Sequence, residues 1–201
     1  MGESVLWRTF QGDAHIDFQG VGALVFDDAF YDDLQFPIAA GKVPAANAPS
    51  WEAFGALNNA EYAFGVGEYI DCQANEPSHG WKEESEAEVH IHFTTKTLQN
   101  SGASQFVKFQ LWVQYADAFG VWSESSFTKE IEIKNGTPAM KHYLVDIGEF
   151  SLGAYHIGMQ LKTRIKRIAA TGTEYLADVF ITQCGMHLQH DTLGSRQEYA
   201  K

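Results

Sequence analysis

Apolar and polar residues alternate along most of this chain, with the period of two that belongs to strands. Gln105 to Tyr115 is the clearest case. Val107, Phe109, Leu111, Val113 and Tyr115 share one parity, while Lys108, Gln110 and Gln114 share the other. Successive side chains of a strand point to opposite faces, so this pattern predicts a strand with one buried face. Phe127 to Ile133 repeats it, with Phe127, Lys129, Ile131 and Ile133 against Thr128, Glu130 and Glu132. Ile157 to Ile165 sets Ile157, Met159, Leu161 and Ile165 against Gln160, Lys162 and Arg164. Glu88 to Phe93 alternates, and Lys141 to Ile147 reads as a further strand. Tyr62, Phe64, Val66, Tyr69 and Ile70 suggest a strand pair interrupted by Gly65 and Gly67. Tyr175 to Leu188 is the longest run and is apolar on both faces at Val179, Phe180 and Ile181, which predicts a central, covered strand.

The connections carry turn residues: Asn100-Ser101-Gly102, Phe119-Gly120, Asn135-Gly136-Thr137-Pro138 and Thr171-Gly172-Thr173. No convincing amphipathic helix of ten or more residues appears. Short strands joined by glycine-rich turns predict an all-β fold with a closed or sandwiched antiparallel sheet. A jelly-roll-like antiparallel β-sandwich is favoured over the immunoglobulin type, whose Cys…Trp…Cys core pattern is missing.

Residues 1–50 read differently. Val21 to Phe26 predicts one short strand, and Trp51 to Leu57 fits either a helical turn or a strand. Around the first lie the pairs Asp27-Asp28 and Asp32-Asp33 and the aromatics Phe26, Phe30, Tyr31 and Phe36. The stretch Ala39 to Ser50 is rich in small residues and proline. This predicts an extended N-terminal arm whose rings need a surface to cover. The expected organisation is an arm over 1–50, a jelly-roll domain over 51–190 and a polar tail over 191–201.

At 201 residues the chain is long enough for one sandwich with a sizeable core. Its net charge of −12 opposes nucleic-acid binding, which needs clustered Lys and Arg. Cys72 and Cys184 are too few for a disulfide framework and read as reduced thiols. Neither a secretory leader nor an apolar run of membrane-spanning length is visible.

Chemistry concentrates in His79 to Phe93. His90 and His92 are two apart on a predicted strand, so they share a face and have the spacing of two metal ligands. Cupins use such a pair inside a jelly roll. Here the parity is wrong for that: Val89, Ile91 and Phe93 claim the core, so His90 and His92 face outward. No acidic ligand follows within ten residues of His92. No Gly-x-Ser-x-Gly elbow is present, and neither cysteine has a basic setting. Trp51, Trp81, Trp112 and Trp122 are candidates for stacking on sugars, with Trp112 on the polar face of its strand.

Three segments carry a resemblance. Asp32-Asp33-Leu34-Gln35-Phe36-Pro37 resembles a W-D-D-L-R-x-P segment near the start of a group of tailed-bacteriophage proteins. His79-Gly80-Trp81-Lys82-Glu83 followed by His90-Ile91-His92-Phe93 resembles their P-H-G-[WY]-K-E-G … H-x-H-W stretch. Asp191 to Tyr199, reading DTLGSRQEY, resembles their ending D-T-[IL]-G-S-R-Q-E-[FY]. The departures are Tyr31 for Trp, Gln35 for Arg, Ser78 for Pro, Glu84 for Gly and Phe93 for Trp. The resemblance implies a virion component assembled in the bacterial cytoplasm, and transfers no catalytic residue, cofactor or metal.

Among virion roles, the expectation is a capsid decoration (cement) protein on the capsid surface. It would be a homotrimer bound to the major capsid protein, with no nucleic-acid or membrane partner. The alternatives are a tail-fibre or receptor-binding protein and a cupin-like metal-binding protein. Candidate interface residues are Phe30, Tyr31, Phe36, His90, His92, Trp112, Arg196 and Tyr199.

Overall fold

In the computed structural model, two antiparallel sheets face each other in a jelly-roll-like β-sandwich. The structure describes residues 16–19, 23–57 and 59–193. Eleven strands follow in chain order: β1 (Ile16–Gln19), β2 (Ala23–Pro37), β3 (Ser50–Phe54), β4 (Asn59–Phe64), β5 (Tyr69–Asp71), β6 (Glu86–Thr95), β7 (Gln105–Ala116), β8 (Ser123–Ile133), β9 (His142–Ser151), β10 (Gln160–Ile168) and β11 (Val179–Thr192). A single 3-10 turn, Ile38–Ala40, follows β2. Among the described residues no helix is long and apolar enough to cross a membrane.

The large sheet has seven strands and is built on β11. One edge of β11 pairs with β6, and β6 pairs in turn with β9. The other edge pairs with β2 over most of its length and with β4 at Val179 and Phe180. The apolar run predicted to be central is therefore the middle strand, which explains its apolar residues on both faces: Ile181 lies in the core, while Phe180 packs edge-on under Phe54, with centroids 5.1 Å apart. The small sheet has four strands in the order β5-β10-β7-β8.

The core fills the space between the sheets. Val89, Ile91 and Phe93 of β6, with Cys184, Met186 and Leu188 of β11, meet Val107, Phe109, Leu111 and Val113 of β7 and Leu161 and Ile165 of β10. The β6, β7 and β10 sets are the apolar parities read from the sequence; the β11 alternation of Cys184, Met186 and Leu188 is not part of that reading. Both cysteines are buried and free. Their thiols interact across the sandwich, which holds Cys184 well above the ordinary thiol value, helped by its burial.

β4 and β5, anticipated as a pair, lie in different sheets. The connection at Gly65–Glu68 carries the chain across: Gly67 has a φ of +95°, and the Glu68 carboxylate accepts from Gly65 N–H. The acidic aromatic segment of the expected arm is extended, and from Ala23 onward it is β2, joined to β11 from Pro37 back to Phe30. Of the short strand anticipated at 21–26, residues 23–26 belong to this longer one, and 21 and 22 lie outside the described residues.

Candidate functional site

The outer face of the large sheet gathers side chains from three strands that are distant in sequence. Register sets the arrangement. His187 of β11 stands between Asp33 of β2 and Glu88 of β6, and Gly185 stands opposite His90. The His187 Nε2 atom lies 3.2 Å from Asp33 Oδ1, and His90 Nε2 lies 3.7 Å from the same oxygen. The two imidazoles lie side by side, with centroids 4.4 Å apart. Glu88 Oε2 is 3.3 Å from His187 Nδ1 and fixes that ring from behind. His92 adjoins His90 edge-on and stacks on His142 of β9, its Nδ1 atom 2.9 Å from His142 Nε2. Desolvation by burial pushes both His90 and His92 below the ordinary imidazole value, and the neighbouring histidines add to it.

Parity placed His90 and His92 away from the core, and they are on the outer face. His90 is nevertheless 1% exposed. The reason is Gly185. A Cβ there would lie 2.2 Å from His90 Nε2, so the missing side chain is what lets the ring lie down across β11, beside His187 and His92. Phe36 faces inward, is 2% exposed and belongs to the core. Phe30 and Tyr31 are exposed, against His190 and His187 respectively. Arg196 and Tyr199 lie outside the described residues.

Sequence reasoning missed His187 and Gly185 and placed Asp33 only in an acidic pair of the arm and in the resembling Asp32–Pro37 segment. The signal was present in β11, where Cys184, Met186 and Leu188 alternate inward and leave 185 and 187 outward.

The loop before β6 is pinned against the end of β11. Trp81 is fully buried and donates its indole N–H to Ser85 Oγ at 3.1 Å, so it is core and offers no platform to a sugar. Lys82 N–H donates to the Gln189 carbonyl at 2.7 Å. A Cβ on Gly80 would come 2.3 Å from the Thr192 carbonyl oxygen, which only glycine permits. Glu83 accepts from Ile157 N–H at 3.0 Å. Glu84 has a φ of +63°, the left-handed conformation that favours glycine, and it stands where the resembling proteins carry Gly.

The outer face of the small sheet carries a groove of about 780 Å3. Trp112, Gln114, Glu124, Lys162, Arg164 and Asp71 are among its lining residues. Arg164 is held by Asp71 in a two-pronged ion pair and lies over the Tyr69 ring at 4.5 Å. Trp112 is half-buried here, on the polar face where the alternation placed it. Lys162 Nζ lies 5.2 Å from the ring centroid of Trp122.

No family model matches the chain, and no curated protein matches it. Solved structures give weak likenesses. The insecticidal delta-endotoxin Cry8Ea1 of Bacillus thuringiensis aligns over 78% of this chain and 24% of its own, at 14% identity and a TM-score of 0.39. A chain from infectious bursal disease virus, Gx strain, aligns over 98% of this chain and 39% of its own, at 8% identity and a TM-score of 0.38. The enzymatically active domain of tailspike protein 4 of bacteriophage CBA120 aligns over 79% and 19%, at 9% identity and a TM-score of 0.32. The chain thus spans well under half of each of these neighbours. Viral and phage tailspike chains are among them, and likeness at this level assigns no activity.

Proposed function

We propose that this chain is a structural protein of a tailed-phage virion and, within the virion, a capsid decoration protein. In this reading a homotrimer binds the major capsid protein on the outer shell and reinforces capsomer junctions. No catalysis, nucleic-acid contact or membrane contact is part of it. One observation carries the reading: the described parts of the three resembling segments meet on β11. Asp32–Pro37 of β2 and His90–Phe93 of β6 pair with opposite edges of β11 around Gly185, and Asp191 and Thr192 at the end of β11 lie against Gly80 of the 79–83 loop. Positions of the resembling loop also have physical reasons, above all Gly80, Trp81 and the left-handed position 84.

The hairpin joining β7 to β8 supports a docking role. Phe119 is fully exposed there, Val121 is 87% exposed and Trp122 stands beside them half-exposed. Adjacent apolar side chains on a projecting turn are a surface that a partner would cover.

Electron microscopy of purified virions tests the proposal. Decoration expects copies on the order of hundreds on the shell, set by its symmetry. A few copies at the tail would instead favour a receptor-binding protein. The groove beneath Trp112 is the specific feature that supports this second reading, because an aromatic flanked by charged and amide groups suits a glycan.

A further inference from the structure

His90 is buried, yet neither of its ring nitrogens has a hydrogen-bond partner in the protein. Native structures rarely leave such a group unsatisfied without a ligand or function to account for it. The ring's Nε2 atom points toward Asp33 Oδ1, which also faces His187 Nε2. All three atoms lie within 4.8 Å of one another. Ligands of a tetrahedral zinc ion stand about 3.3 Å apart, since each is roughly 2.0–2.1 Å from the metal. Small side-chain rotations therefore close this triad on an ion.

We propose that Asp33, His90 and His187 bind one divalent transition-metal ion of the zinc(II) class. Two imidazole nitrogens and one carboxylate oxygen select a borderline ion over magnesium or calcium, which take oxygen ligands. The fourth position is open to solvent, because Asp33 and His187 are each about one-third exposed while His90 forms the floor. Glu88 behind His187 Nδ1 completes a carboxylate–histidine–metal relay that directs Nε2 to the ion. The ion would tie β2, β11 and β6 together through their side chains. His92 and His142 are outside the site, since their facing nitrogens are engaged with each other.

The test uses the full chain, stripped with a chelator and titrated with zinc by calorimetry and with cobalt by visible absorption. The expected result is one ion per chain, a Kd of about 10 µM or tighter, a tetrahedral cobalt spectrum and a raised Tm. Asp33→Asn, at a half-exposed position that should fold, and His187→Gln should each weaken binding by about 100-fold or more. Glu88→Gln should weaken it about 10-fold, and His142→Gln should leave it unchanged. The proposal is overturned if binding does not saturate at one ion. Unchanged affinity in Asp33→Asn and His187→Gln, or loss of binding in His142→Gln, would overturn it equally.

Discussion

Two backbone positions set the local character of this chain, and both are open to single-residue tests. Glu84 is exposed and sits at a φ of +63°. An L-residue pays roughly 1–2 kcal/mol for that conformation, which glycine avoids. Glu84→Gly is therefore expected to stabilise the protein by about 1 kcal/mol, read as a rise in the urea midpoint. A fall would mean that the Glu84 side chain supplies more than its backbone conformation loses. Gly185 argues in the opposite direction. Adding a methyl group would normally help a strand by about 0.5–1 kcal/mol, but here it strikes the buried His90 ring. Gly185→Ala is expected to destabilise by about 1–3 kcal/mol, the range for overpacking, and combination with His90→Ala should recover most of the loss. The outward direction of His90 was legible from Val89, Ile91 and Phe93. Its burial was not, because that depends on a glycine ninety-five positions away that becomes its neighbour only through the β6–β11 register.

Elements were legible in proportion to how one-sided their environment is. β7 packs one full face on the opposite sheet and shows an unbroken alternation. In β2 the core contacts among the described side chains are Leu34 and Phe36, and the charged and exposed residues between Phe30 and Asp33 interrupt the apolar pattern. The β3–β4 hairpin was hard to read for a related reason: β4 touches the central strand at just two paired positions. Beside the packing of Phe54 on Phe180, a further attachment is electrostatic. Lys96 Nζ lies 2.5 Å from Glu52 Oε2 and 3.4 Å from Asp178 Oδ2. Lys96 holds the Glu52 carboxyl below its ordinary value, with Ser50 assisting, and Glu52 in turn raises Lys96. The lowered carboxyl gives stability that is complete above about 4.5 and fades as pH falls through the folded value. The raised amine gives stability that is complete below about 10.5 and fades as pH rises through its folded value. Between those limits Glu52→Gln should cost less than about 1 kcal/mol, because both groups are about one-third exposed and screened. The loss should appear as faster amide exchange in β4, while β7 is unaffected. An equal acceleration in β7 would show that the hairpin is part of the global folding unit.

At the scale of the whole molecule, the question is which surface meets a partner, and the β7–β8 tip poses it most sharply. Phe119 is fully exposed and has a φ of +65°. The left-handed backbone there favours Gly or Asn over a bulky aromatic, and the exposed ring stands where a partner would cover it. Phe119→Asn should therefore leave the Tm of the isolated protein equal or slightly higher. The same change, combined with Val121→Ser, should reduce occupancy on capsids in a sedimentation assay by about 10-fold or more, as expected when apolar anchors leave a docking surface. Trp112→Ala serves as the contrasting variant. It changes the groove on the outer face of the small sheet and leaves Phe119 and Val121 in place, so it should spare capsid occupancy and lower adsorption only if that groove binds a glycan. Full capsid occupancy by the tip variant would remove the tip as the docking surface, and adsorption lost in Trp112→Ala would assign the groove to a glycan. The opposite pair of results would support the tip as the surface that meets the shell.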